Sequence, residues 1–288
     1  MDGIINLLKP TGMTSSDAVA RMRGVLGTKK IGHLGTLDPL ASGVLPIAVG
    51  RCTKLFDVFL TKQKKYRAFF KFDMETDTLD SYGEILNRSK RVVSLSEVKE
   101  AASKFVGKIS QIPPQYSAKL VDGRRAYSIA RGGDSVTLKP VEIEVYNIEV
   151  IEENNGVFTV DMQVSSGTYV RSIVRDMAYE MGVYGYMAGL IRLSSGNFSI
   201  ENAVTFDELE RDKNLMMEAG ETLKFLPSVQ ITNEEYKKMI NGLHLYQEIE
   251  DGLHTIYTDE FKGLLSSESS VQKLYLWIKR ETGHDENI

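Results

Sequence analysis

Residues 32–47 of this 288-residue chain, Gly-His-Leu-Gly-Thr-Leu-Asp-Pro-Leu-Ala-Ser-Gly-Val-Leu-Pro-Ile, hold the side chain best suited to chemistry. Three glycines and two prolines impose an irregular backbone that can aim one polar group in a defined direction. That group is Asp38, set between apolar Leu37 and Pro39. A carboxylate kept charged in such a place is a nucleophile toward sugar or base carbons. The plain alternative is a turn aspartate before a proline, and an isolated Asp-Pro would be read that way. A hydrolase of the glycosidase kind needs a second positioned carboxylate, and the motifs offer only Asp38. His33, His244, His254, His284 and the single cysteine, Cys52, have no metal-ligand spacing, and no phosphate loop of the P-loop type is present. Neither metal nor cofactor is expected.

The charge pattern bears on the partner. The formal net charge is −4, which taken whole argues against a polyanion. Up to residue 139, however, 23 Lys and Arg stand against 13 Asp and Glu, while the remainder has 12 against 26. Such asymmetry points to nucleic acid bound locally by one face, with unevenly solvated charge as the bland reading. Arg21, Arg23, Lys29, Lys30, the Lys62–Lys65 run, Arg124, Arg125 and Arg131 are candidate phosphate contacts. A composition 42% hydrophobic and 26% charged is that of a soluble globular protein. No apolar run reaches membrane-spanning length, and Met1-Asp2-Gly3-Ile4 lacks a basic signal-peptide start. One cysteine excludes an intramolecular disulfide and suits a reducing compartment, so a cytoplasmic protein without membrane contact is expected.

Several elements must position the loop. Gly3–Leu8 reads as a buried strand closed by the Lys9-Pro10-Thr11-Gly12 turn. Ser15 or Ser16 should cap a helix running to Leu26 and stopped by Gly27. Residues 28–43 read as loop. Helical signals follow at Lys54–Leu60, Ser96–Phe105, Gly123–Arg131, Tyr169–Met181, Thr205–Asn214 and Asn233–Ile240. Strand signals occupy Lys65–Phe72, Val141–Ile151, Val157–Val164 and Met187–Phe198. This order predicts an α+β fold with a large mixed sheet, followed by a small β-rich module after Leu226-Pro227.

Four stretches besides the Asp38 loop carry a family resemblance. They are Leu7-Leu8-Lys9-Pro10-Thr11-Gly12-Met13-Thr14-Ser15-Ser16, Lys65-Tyr66-Arg67 with Thr76-Asp77-Thr78-Leu79-Asp80, Gly167-Thr168-Tyr169-Val170-Arg171-Ser172, and Leu190-Ile191-Arg192-Leu193. In this order they resemble the TruB-type pseudouridine synthases, the family that converts uridine 55 in the T-loop of tRNA to pseudouridine. The matches span Asn6 to Phe198.

The resemblance implies the pseudouridine synthase fold, with flanking helices on a mainly antiparallel sheet. It implies a catalytic domain over 1–225 and a PUA-like module over 226–288, although that module matches only at Leu226-Pro227-Ser228-Val229 and is acidic. Asp38 becomes the attacking carboxylate, with ribose C1′ and the base both open as its target. Arg171 becomes its partner, a guanidinium that stabilises the charged form. Tyr66 becomes the ring that stacks on the flipped base and takes part in removing the C5 proton. Tyr169 and Leu190 would line the uracil pocket, and His33 would hold the opened T-loop. Each of these could also be an ordinary core or surface residue on residue type alone. The segments Pro113–Lys119 and Gly123–Tyr127 resemble the insertion of bacterial stand-alone members, which implies a monomer that finds the T-arm of its tRNA without a guide RNA.

Overall fold

The computed structural model describes residues 1–60, 63–117, 119–121, 124–125, 127, 129 and 137–277. Its strands are β1 (Gly3–Lys9), β2 (Ile31–His33), β3 (Ser42–Val49), β4 (Lys64–Lys71), β5 (Met74–Thr76), β6 (Ile85–Arg88), β7 (Gly107–Gln111), β8 (Leu120–Val121), β9 (Arg124–Arg125), β10 (Val141–Asn154), β11 (Val157–Val164), β12 (Tyr186–Ser195) and β13 (Phe198–Ser199). Helices α1 (Ser15–Leu26), α2 (Phe56–Leu60), α3 (Leu95–Ser103), α4 (Val170–Glu180), α5 (Phe206–Arg211) and α6 (Ala219–Thr222) accompany them. Beyond residue 226 lie β14 (Ser228–Gln230), α7 (Asn233–Ile240), β15 (Leu245–Tyr246), β16 (Gly252–Tyr257), β17 (Phe261–Glu268) and β18 (Val271–Trp277).

The large sheet runs β1-β3-β12-β4-β11-β10-β7, with β2 also on β3 and β13 on β12. All its pairings are antiparallel except β3 with β12, so the expected mixed, mainly antiparallel α+β sheet is found. The second sheet runs β14-β16-β17-β18-β15.

Successive side chains of a strand face opposite ways, and here both faces are covered. Ile5 and Leu7 of β1 and Leu45, Ile47 and Val49 of β3 join a core with α1, α3 and α4, through Met22, Val98, Ile173 and Met177. Their neighbours Ile4, Val44 and Ala48 point the other way. They pack with Phe59, Phe198, Leu223 and, from the second sheet, Phe261, Leu264 and Leu276. This two-sided burial explains why β1 reads as a buried strand without polar alternation.

Three expectations need correction. Residues 28–43 are not all loop, since β2 lies within them and β3 begins there. Gly43, at φ +106°, is what disguises β3: a Cβ at this position would stand 2.3 Å from the Arg192 carbonyl oxygen. Thr14, rather than Ser15 or Ser16, caps α1 in a reciprocal box with Asp17. Of the helix expected over 123–131, Arg124–Arg125 instead form β9, Tyr127 and Ile129 are helical, and the rest lies outside the described residues.

Candidate active site

Asp38 sits in the loop between β2 and β3, and that loop is held from several sides. Ser15, relieved of capping, turns inward. Its hydroxyl donates to the Leu37 carbonyl at 3.0 Å and accepts from the Leu37 N–H at 2.9 Å. Gly12 N–H donates to the Pro39 carbonyl at 2.8 Å, and the Thr11 hydroxyl to that of Leu40 at 2.9 Å. The Lys9-Pro10-Thr11-Gly12 turn is therefore a clamp on the loop.

Arg171 meets the nucleophile. It occupies the first turn of α4, and its Nε lies 2.8 Å from Asp38 Oδ2, with the arginine side chain 7% exposed and the aspartate 33%. Its other nitrogens are also used: Nη1 donates to the Thr78 carbonyl and Nη2 to that of Tyr116, both at 3.0 Å. A guanidinium anchored at three points cannot swing, so the carboxylate is presented in one orientation. The start of α4 is fixed in turn by buried Gln111 of β7. Gln111 accepts from the Tyr169 N–H at 2.9 Å and donates to its carbonyl at 3.2 Å, in place of a capping side chain.

A second carboxylate, given no role on sequence grounds, belongs to the same group. Asp80 Oδ2 stands 3.7 Å from Arg171 Nη1. Its Oδ1 accepts from the Thr78 hydroxyl at 2.7 Å and the Tyr82 N–H at 3.0 Å. Thr76-Asp77-Thr78-Leu79-Asp80 carried a signal, being one of the matched stretches, but nothing in it tells a turn aspartate from an arginine partner.

The apolar side of the site comes from the sheet. Tyr66 and Ala68 of β4 stand opposite Arg192 and Leu190 of β12, so these four side chains share one face. Tyr66 and Leu190 are buried in the same cluster as Leu37 and Val170, which flank Asp38 and Arg171 in sequence. Tyr169 is half-buried. Burial pushes its phenol above the usual range; the Ser117 hydroxyl opposes this, the Asp38 charge adds to it and Arg171 opposes it. The structure thus brings Asp38, Arg171 and Tyr169 together, and sets Tyr66 and Leu190 on one face of the sheet in the same core. His33 ends β2 opposite Ile47, at the root of the loop.

Besides Arg171, three buried cations lie in this region: Lys9, Lys64 and Arg192. Lys9 Nζ donates to the carbonyls of Pro10 and Met13 at 2.7 and 2.8 Å. Burial and then the charge of Arg192 lower Lys9 to about 8, against the opposing pull of Asp38 and Asp17, and the same two causes lower Lys64 to about 8.

The list of phosphate contacts is narrowed accordingly. Lys64 is buried. Arg21 is engaged with α5, at 3.2 Å from Asp207, 3.4 Å from Glu210 and 4.3 Å above the Phe206 ring. Arg23, Lys29, Lys30 and Lys65 are exposed. Lys62, Arg131 and the side chains of Arg124 and Arg125 lie outside the described residues. Among the described residues no helix is long and apolar enough to cross a membrane.

Residues 23–170 match the family described as TruB family pseudouridylate synthase (N terminal domain). A protein of Caldanaerobacter subterraneus named tRNA pseudouridine synthase B is 41% identical over 244 residues, covering 84% of this chain and 85% of its own. The protein of the same name from a Nostoc species is 42% identical over 264 residues, covering 89% and 88%. Among solved structures, a Cbf5-Nop10-Gar1 complex superposes with a TM-score of 0.71 at 25% identity, covering 96% of this chain and 84% of that one. The chain therefore belongs to the TruB family of pseudouridylate synthases.

Proposed function

We propose that this protein isomerises the T-loop uridine of tRNA, position 55, to pseudouridine, with Asp38 as nucleophile. The observation that carries the reading is the 2.8 Å pairing of Asp38 with an arginine anchored at two further points. The names of the relatives supply tRNA as the substrate class.

The target base leaves its stack, at a cost of a few kcal/mol, and enters the face formed by Tyr66, Tyr169 and Leu190. Asp38 attacks, at ribose C1′ or at the base. The N1–C1′ bond breaks, the uracil turns, and the C5–C1′ bond forms as the bond to Asp38 breaks and its carboxylate is freed. The hydrogen on C5 departs as a proton with Tyr66 alongside, while N1 gains one. Substrate and product are isomers, so the sum needs no oxidant, reductant or nucleotide. His33 would hold the opened T-loop, and exposed Lys29, Lys30 and Lys65 would meet phosphates. The likeness of Pro113–Lys119 and Gly123–Tyr127 to stand-alone enzymes supports action without a guide RNA, and the single cysteine supports a cytoplasmic setting; the protein is read as a monomer. Residues 1–225 are read as the catalytic domain and 226–288 as a PUA-like module.

The test is release of tritium from C5 of labelled T-arm transcripts. Release should approach one equivalent per RNA and vanish when the T-loop uridine is replaced by cytidine. Release that persists in the cytidine transcript would overturn the assigned position, and no release from any transcript would overturn the reaction.

A further inference from the structure

The loop carrying Asp38 has two arms, and one side chain of β12 joins them. Arg192 donates from Nε to the Val44 carbonyl at 2.6 Å, beyond the nucleophile. On the near arm it donates from Nη1 to Thr36 at 3.0 Å and from Nη2 to Gly35 at 3.3 Å. It is 1% exposed. Among the described residues its partners are these carbonyls, and its charge meets no carboxylate.

Such an arrangement is costly, because a buried guanidinium loses its hydration and here recovers no ion pair. Two further buried cations, Lys9 and Lys64, feel its charge, which adds to the cost. Its three bonds to buried carbonyls offset part of that cost, and an apolar side chain would leave those carbonyls without a donor. What the guanidinium uniquely supplies is a rigid planar fork that fixes the distance between the two arms. The same residue stands opposite Tyr66 in the β4–β12 register, and its backbone abuts Gly43 so closely that no Cβ fits there. Nucleophile loop and base-stacking strand are thus referenced to one residue.

We infer that Arg192 is a positioning residue for the isomerisation, setting the direction in which Asp38 faces a base held by Tyr66 and Leu190. The inference rests on the reading of Asp38 as nucleophile. Arg192 touches no reacting atom and acts through the loop backbone.

Arg192→Lys and Arg192→Met separate this role from plain stability. Lysine keeps the charge but reaches only one arm; methionine keeps the bulk without the fork. Both are assayed by single-turnover tritium release at saturating enzyme, well below their melting temperatures, beside near-ultraviolet dichroism and filter-binding affinity for tRNA. The expected result for Arg192→Lys is native dichroism, affinity within about threefold, and a rate lower by about 100-fold, the scale of a misplacement near 1 Å. Amide exchange at Ala41 and Gly12, whose N–H groups bond the Asp38 and Pro39 carbonyls at 3.0 and 2.8 Å, should quicken in parallel. A near-native rate in the folded Lys variant would overturn the proposal, as would a loss that merely tracks the unfolded fraction or the affinity. Should Arg192→Met not fold, Arg192→Lys carries the test alone. Asp38→Asn sets the zero of the assay. If the unmodified protein itself releases no tritium, the nucleophile reading fails, and the exchange measurement still decides whether Arg192 holds the loop.

Discussion

Asp80 and Arg171 face each other at 3.7 Å, Oδ2 to Nη1, with both side chains nearly buried. At that separation the pair is electrostatic rather than a close hydrogen bond. Asp80 is itself fixed by its own turn, through Thr78 and Tyr82. It therefore balances a guanidinium whose other edge is given to Asp38. Asp80→Asn keeps the shape and removes the charge. Single-turnover rate should fall by about 10-fold to 100-fold as Arg171 re-aims, with tRNA affinity little changed. A rate within twofold of native would reduce Asp80 to a turn residue.

Asp38→Asn should abolish tritium release and leave tRNA affinity within about threefold, since it deletes a charge and a nucleophile while keeping volume. Arg171→Lys should cost about 100-fold or more, because an ammonium cannot serve Asp38, Thr78 and Tyr116 together. Substantial turnover in purified Asp38→Asn would sink the nucleophile assignment.

Asp38, Arg171, Tyr66, Tyr169 and Leu190 were legible because residue type and motif order both mark them. The partners that hold them were not. Asp80 and Arg171 are far apart in the chain, and no periodicity encodes their meeting. Lys9, Lys64 and Arg192 look like surface cations in sequence, and their burial follows only from strand register. Arg21 looks like a phosphate contact until α5 is seen beside it. β3 was hidden by Gly43 and Pro46, residues that usually mark loops. Here the glycine admits the close approach of β12, and the proline stands within the β1–β3 register opposite Asn6.

Salt dependence of tRNA binding separates the exposed cations from the engaged ones. Lys65→Gln or Lys30→Gln should each lower the log–log slope by about 1, the value for one released counterion. Arg21→Gln should leave the slope alone and cost about 0.2–1 kcal/mol in stability, since its ion pairs are exposed. Equal slopes in all three variants would place the RNA elsewhere.

Lys64 makes a signed prediction with pH. Burial, and next the charge of Arg192, lower it from 10.5 to about 8. Between those values the unfolded lysine holds a proton that the folded one has released, so stability rises with pH across the window. The gain relative to Lys64→Met should reach about 3 kcal/mol at most by pH 10.5, and be absent below pH 8. Urea midpoints of both proteins from pH 7.5 to 10.5 test this. Cys52 and Tyr179, both raised to about 12 chiefly by burial, work in the opposite direction but cancel in the difference. A flat difference would mean that Lys64 stays charged.

The last prediction concerns what the second sheet does for the first. Leu264 and Leu276 share one apolar cluster with Ile4, Val44 and Ala48, on the face of β1 and β3 turned away from α1. Phe261 of the same cluster presses so closely on α6 that a Cβ at Gly220 would stand 2.9 Å from its ring. Removing residues 228–288 would therefore uncover the back of the strand whose Val44 carbonyl receives Arg192. A soluble, native-like truncation is not expected, and point variants are the better probe. Leu264→Ala should cost about 2–5 kcal/mol, the range for a buried leucine. Because the cluster spans both sheets, the loss should move a single calorimetric transition, with tritium release failing at the same lowered temperature. Two transitions, of which only one moved while release persisted to the original temperature, would show that the second sheet melts independently and lends the catalytic loop no support.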